Sequence, residues 1–241
     1  MRNIGLLVGR ELGAYLRTPA GYLIGAAFLL LNGILFNALA VTSEPRLSSE
    51  VLITFLRNAG GVTEFAAVLL SMRLLAEDRS TGTQVLLFTS PVREQEIVLG
   101  KYLAAVIVLS LLVLLSLYLP ALIFINGKVS WGHIFAGYIG LLMLGATTLA
   151  VGTFASSLAS HPFLAVLLTT VFVALLELSW WVGQLTEPPL SDVLAYFAPF
   201  WKHFQPFAQG LFQLSGVVFY ASLIYLSLLG ATRVLQSQRW R

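Results

Sequence analysis

Residues 97–125 form one long apolar stretch whose sole charged residue is Lys101, and five further apolar runs share the chain with it. About 20 apolar residues suffice to cross the hydrocarbon core of a bilayer as a helix, the form in which a segment bonds its own backbone N–H and C=O groups. The runs fall at about residues 21–41, 62–76, 97–125, 134–158, 162–183 and 212–235. The second holds Glu64 and Arg73, looks short, and has room to begin nearer Val51. The pattern predicts an all-α membrane protein of six transmembrane helices in a single domain, residues 1–241. It excludes an ordinary soluble enzyme: with 58% hydrophobic and 10% charged residues, too few polar side chains remain to coat a globule. The absence of cysteine excludes a disulfide framework, thiolate catalysis and Cys-ligated metal. A formal charge of +3 is too small to point to nucleic acid.

Six spans put both termini on one side, and the basic residues indicate which. With cytoplasmic termini that face holds Arg2, Arg10, Arg17, Arg73, Arg79, Arg93, Lys101, Arg233, Arg239 and Arg241, ten in all, against Arg46, Arg57, Lys128 and Lys202 on the other face. Cytoplasmic loops retain positive charge, so the expected location is the inner (cytoplasmic) membrane, multi-pass, with both ends cytoplasmic. Arg2, Arg10 and Arg17 interrupt each short apolar stretch at the start, which is therefore expected to stay rather than be cleaved as a signal peptide. Residues 3–18 carry Ile4, Leu7, Val8, Leu12, Tyr15 and Leu16 at helical spacing, the pattern of an amphipathic elbow lying in the interface and ended by Thr18-Pro19. Gly5, Gly9 and Gly13, continued loosely by Gly21 and Gly25, fit either close helix approach or the general abundance of glycine in membrane helices.

The largest expected cytoplasmic connection, residues 77–96, has more pattern than a connector needs. Ser80 or Thr81 can cap a helix whose first turn holds Gly82 and Thr83; Val85, Leu86, Leu87 and Phe88 make an apolar patch, and Pro91 stops it. A short helix with an exposed apolar face either docks in a partner's groove or lies on lipid headgroups. Glu77, Asp78 and Arg79 before it, and Arg93, Glu94 and Glu96 after it, would rim such a contact. With Lys101 these are seven of the chain's 25 charged residues.

The run from Ser71 through Met72-Arg73, Glu77-Asp78-Arg79, Thr81-Gly82-Thr83-Gln84, Leu86-Leu87-Phe88 and Ser90-Pro91, followed by Ile97-Val98-Leu99-Gly100-Lys101, resembles the signature of ABC-2 type transporter permease subunits. It is most similar to the branch described as gliding-motility-type or copper-processing-type. The main departure is Gln84, where that pattern usually has Glu. The resemblance implies a permease pairing with a second copy, or with a paralogous permease, and with two cytoplasmic ATP-binding subunits. Glu77, Asp78, Arg79, Thr81, Gly82, Thr83, Gln84, Leu86, Leu87, Phe88, Ser90 and Pro91 would form the coupling helix seated on the ATPase. The dimer axis would involve spans one, two and five. ATP and magnesium would sit on the partner. This chain has no G-x-x-x-x-G-K-[ST] phosphate loop, so it is not expected to be an enzyme itself.

Ionisable residues inside spans are functional candidates by default. Glu177 falls in the fifth span before Ser179, Trp180 and Trp181, where it would either line a conduit or accept bonds from a neighbouring helix. Glu64 is expected at a solvated outer end of span two, and Arg73 is spaced to pair with Glu77 at i,i+4. Between spans five and six, Phe197, Phe200, Trp201 and Phe204 lie in an aromatic, proline-broken segment that fits two short re-entrant helices split near Pro199 or Pro206. Such helices would gate the outer exit, touch an extracytoplasmic accessory protein, or serve as an aromatic belt among membrane lipids. His133, His161 and His203 are far apart, with no metal-site pattern around them. Two alternatives stand beside export. One is a mechanotransmitting subunit that acts on an envelope machine such as a motility or pilus apparatus. The lesser is a membrane-embedded enzyme, for which no G-x-S-x-G or paired catalytic set is present.

Overall fold

The computed structural model describes residues 2–40, 47–83, 92–126 and 129–239. Its helices are α1 (Arg2–Arg17), α2 (Pro19–Leu35), extended by a π-helical turn (Phe36–Ala40), α3 (Ser48–Ser71), α4 (Ala76–Ser80) and α5 (Glu94–Leu115). They continue with α6 (Tyr118–Asn126), α7 (Trp131–Leu158), α8 (Pro162–Leu185), α9 (Leu190–Tyr196), a π-helical segment (Pro199–Phe204), α10 (Gln205–Ala208) and α11 (Leu214–Arg239). There is no strand among the described residues. Six helical stretches are long and apolar enough to cross a membrane: Gly21–Leu39, Ser48–Ser80, Glu94–Ile123, Trp131–Leu158, Pro162–Leu185 and Leu214–Gln238. The protein is an all-α, multi-pass membrane protein.

Local chemistry sets the boundaries. Thr18 is extended (φ −99°, ψ 142°) ahead of Pro19, whose fixed φ and missing N–H suit the first position of α2 and separate it from α1. Glu96 reaches back to accept the Arg93 backbone N–H at 3.1 Å, fixing the start of α5. Pro120 cannot donate to the Ser116 carbonyl, so the third span breaks there into α5 and α6, and Ser116 Oγ turns to the Val113 carbonyl at 2.7 Å and to the Tyr138 hydroxyl at 3.1 Å.

The second span takes the earlier of the two starts read from the sequence. It begins at Ser48, close to Val51 and not near residue 62, so residues 48–61 belong to the helix and not to an outer loop. Arg57, Asn58, Thr63 and Glu64 dilute its hydropathy to 1.4, the lowest of the six, while the buried face of Leu52, Phe55, Leu56, Ala59 and Val62 does the packing. Glu64 therefore lies well inside the helix and not at a solvated end.

Lipid tails are as apolar as leucine, so close packing rather than hydrophobic burial must hold such helices together. Several of the close approaches lie on α7, at the centre of the bundle. A Cβ on Gly140 would stand 2.5 Å from Phe207 Cβ, one on Gly145 2.5 Å from Leu109 Cδ2, and one on Gly137 would collide with Leu56. The N-terminal stripe behaves differently. Gly5, Gly9 and Gly13 have nothing within 4 Å of an added Cβ and make no close helix contact inside the chain, whereas Gly21 abuts the Tyr15 carbonyl and Gly25 is near Leu112.

Candidate functional site

At the end of α3 the chain leaves the helix at Met72, turns, and re-enters a helix for the five residues of α4. Arg73, in the turn, holds Glu77 with both ends of its guanidinium, Nε to Oε2 at 2.8 Å and Nη2 to Oε1 at 3.0 Å, and donates from Nη1 to Thr18 Oγ1 at 2.8 Å. It also lies over the Tyr15 ring, 5.8 Å from its centroid. Tyr15 donates to the Leu70 carbonyl at 3.2 Å; burial, with Glu11 nearby, pushes its hydroxyl well above the ordinary range and keeps it a donor. The first backbone N–H groups of α4 need acceptors, and Ser156 Oγ, in the last turn of α7, takes those of Leu75 and Ala76, each at 3.0 Å.

Asp78 points the other way, to Lys101 in the second turn of α5. The Nζ–Oδ2 distance is 2.8 Å, and the same Nζ donates to Glu11 Oε1 in α1 at 3.2 Å. Lys101 is only 2% exposed, so its charge is stabilised by these carboxylates rather than by water. Arg79 donates to the carbonyls of Ala159 at 2.7 Å and Ser157 at 2.9 Å and to Gln238 Oε1 near the end of α11. Both carbonyls lie at the C-terminus of α7, where unpaired C=O groups concentrate negative potential and favour a cation. Gln238 Nε2 adds a bond to the Ser157 carbonyl at 3.1 Å. Ala76 completes the junction by packing with Ala159 and with Ala165 of α8.

One segment, residues 73–83, thus touches the same end of all six spans: α2 through Thr18, α3 directly, α5 through Lys101, α7 through Ser156 and Ser157, α8 through Ala165, and α11 through Gln238. Glu77, Asp78 and Arg79, read from the sequence as a rim for a partner, are engaged inside the chain. The described residues left exposed are Ser80, Thr81, Gly82 and Thr83. Ser80 and Thr81 donate back to the Glu77 carbonyl, each at 2.9 Å, closing α4 rather than opening the next helix. Gly82 turns the chain at φ +72°, a left-handed conformation that glycine adopts without strain. Gln84, Leu86, Leu87, Phe88, Ser90 and Pro91 lie outside the described residues.

The intramembrane acids meet the segment between spans five and six. Glu177 Oε1 accepts the Phe200 N–H at 3.0 Å, and Tyr220 donates to the Pro199 carbonyl at 2.9 Å. The split falls at Phe197–Ala198, before Pro199. Phe204 is fully buried and Phe197 is half exposed. Trp201 packs between Trp180 and Trp181, with ring centroids 6.5 and 5.9 Å away, and Phe200 lies 5.4 Å from both Trp201 and Phe204. A Cβ on Gly60 would touch Phe204 and Phe200 at 2.6 and 2.8 Å, so α3 runs directly against this segment. Glu64, one turn from Gly60, follows on that face, within electrostatic reach of Glu177. The three histidines serve separate local roles. His161 Nδ1 accepts the Leu164 N–H at 3.2 Å to cap α8, while the rings of His133 and His203 bond the Ala208 and Tyr196 carbonyls, each at 2.9 Å. Among the described residues no three His, Asp or Glu side chains gather as a metal-holding group.

A family model described as ABC-2 family transporter protein matches residues 51–231, from the first turn of α3 to the last third of α11. The chain belongs to the ABC-2 transporter family. No curated protein sequence matches it. As an ABC-2 protein it is a membrane permease subunit of an ABC transporter, and membership implies an ATP-binding partner subunit. The match takes in the second to fifth spans, the 73–83 junction and the aromatic segment, but neither α1 nor Gln238. Among the junction residues, Ser156, Ser157, Gln238, Glu11 and Thr18 carried no sequence signal as partners.

Proposed function

We propose that this permease converts the closure of a separate ATP-binding subunit into movement of its six spans, through the junction at residues 73–83. The end bearing both termini then faces the cytoplasm from the inner membrane. The working assembly comprises two copies of the permease, or the permease and a paralogue, with two ATP-binding subunits that hold ATP and magnesium. The observation that carries the reading is the convergence of all six spans on one short segment whose tip, Thr81–Thr83, is exposed. A segment bonded to or packed on every span cannot be displaced without moving several of them, which is what a drive point requires. In this reading the neighbouring stretch, with the apolar Val85, Leu86, Leu87 and Phe88 and with Gln84, Ser90 and Pro91, would seat in the partner's groove. The similarity to the gliding-motility or copper-processing branch is part of this reading.

The output is either export or the transmission of movement to an extracytoplasmic machine. The Glu177–Phe200 bond favours the second, because it ties α8, whose first turns pack on the junction, to the segment between spans five and six. The test is deletion of residues 83–88 in the permease co-expressed with its ATP-binding partner subunit. Co-purification and permease-stimulated ATP turnover are expected to fall at least tenfold while the detergent-solubilised bundle keeps its helical content. Intact co-purification with normal turnover would overturn the proposal.

A further inference from the structure

We infer that the junction drives the bundle through two separable arms, and that Lys101 is the positioning residue of one of them, carrying movement of Asp78 to Glu11 and so to α1. The inference rests on the coupling reading above.

The first arm is a continuous polar chain. Thr83, in the exposed tip, donates to Asp78 Oδ1 at 3.0 Å; Asp78 Oδ2 pairs with Lys101 Nζ at 2.8 Å; the same Nζ holds Glu11 Oε1 at 3.2 Å. Lys101 is 2% exposed, and an ammonium at that depth cannot release its carboxylates to water as a surface lysine can. The links therefore move together. Beside it, Gly100 lets α1 lie directly on α5: an added Cβ would sit 2.9 Å from Leu7 Cβ. α1 cannot slide over α5 without separating from it, so displacement of Asp78 becomes displacement of α1.

The second arm uses other atoms. Arg79 grips the Ser157 and Ala159 carbonyls and Gln238, which places the connection between α7 and α8 and the end of α11 under its control. The two arms share only the backbone of α4; the side-chain bonds given for Asp78 and Arg79 have no partner in common. Neighbouring residues thus send the same stroke in two directions, one to a helix outside the bundle and one to a hairpin within it.

The experiment uses the intact complex of permease and ATP-binding subunit in lipid nanodiscs. The chain has no native cysteine, so paired spin labels are introduced cleanly: a reference at Leu214→Cys with either Leu6→Cys on α1 or Ser160→Cys between α7 and α8. In the otherwise unaltered protein, ATP is expected to shift both distances. Glu11→Leu leaves the Lys101–Asp78 pair in place and is expected to reduce the Leu6 shift at least threefold while the Ser160 shift persists. Arg79→Gln is expected to do the reverse. The neutral triple Lys101→Met, Asp78→Asn, Glu11→Leu leaves no buried charge unpaired and is expected to match Glu11→Leu. A full Leu6 shift in Glu11→Leu, or joint loss of both shifts, would overturn the two-arm inference. Absence of any ATP-dependent shift in the unaltered protein would overturn the coupling reading itself and the arms with it.

Discussion

At the residue scale, the junction is held by groups that each perform two tasks. Arg79 joins two backbone carbonyls and Gln238 with a planar fork, which a lysine's single ammonium cannot reproduce. Arg79→Lys should keep the charge but lose part of this grip, costing about 1–2 kcal/mol and lowering the thermal midpoint of the detergent-solubilised protein. Arg79→Ala should cost more. At Glu177 the bond to the Phe200 N–H separates two roles that the sequence left open. Glu177→Gln retains an acceptor and should leave stability within about 1 kcal/mol, whereas Glu177→Ala should lose about 2 kcal/mol as the Phe200 N–H is orphaned. Equal midpoints for the Gln and Ala variants would show that the bond contributes nothing. The Arg73–Glu77 pair was legible from its i,i+4 spacing alone. The Lys101–Glu11 and Arg79–Gln238 contacts were not, since 90 and 159 residues separate their members and no local pattern links them.

At the element scale, long uniform apolar runs were legible and diluted ones were not. The third through sixth spans announce themselves, while α3 conceals its first 14 residues behind Arg57 and Asn58, because its packing stripe is one face of an otherwise mixed helix. The glycine stripe of α1 was visible, but Gly137, Gly140, Gly145 and Gly152, which permit close approach to α7, are embedded in a run so apolar that periodicity says nothing about which side is crowded. Gly140→Leu should overpack the contact with Phe207 and Phe204 and cost 2 kcal/mol or more, on the order of other core insertions. Gly9→Ala, with open space around it, should raise stability by about 0.5–1 kcal/mol through helix propensity. Thermal unfolding of both variants by circular dichroism checks the contrast, and equal effects would contradict this account of the packing.

For the whole molecule, six spans and the family were readable from hydropathy and from the one signature between Ser71 and Lys101, but the faces that meet other molecules were not. α8 packs through Ala165 and Thr169 and turns Phe163, Leu167, Leu175 and Leu178 outward, each more than half exposed. In the proposed dimer a second copy covers this face. Single cysteines at Leu167 or Leu175 should then form a cross-linked dimer in native membranes, whereas one at Leu111, on the outward side of α5, should not. Cross-linking only at Leu111 would place the dimer axis elsewhere.

The connection between α7 and α8 is gripped by its main chain: Arg79 reads the carbonyls of residues 157 and 159, never their side chains. Every amino acid offers the same carbonyl, so lineages can rewrite positions 157 and 159, within the small volume that the burial of both allows, without touching the grip. Variation across descendants should therefore be asymmetric, with the gripping arginine frozen and the two gripped positions exchanging among small residues.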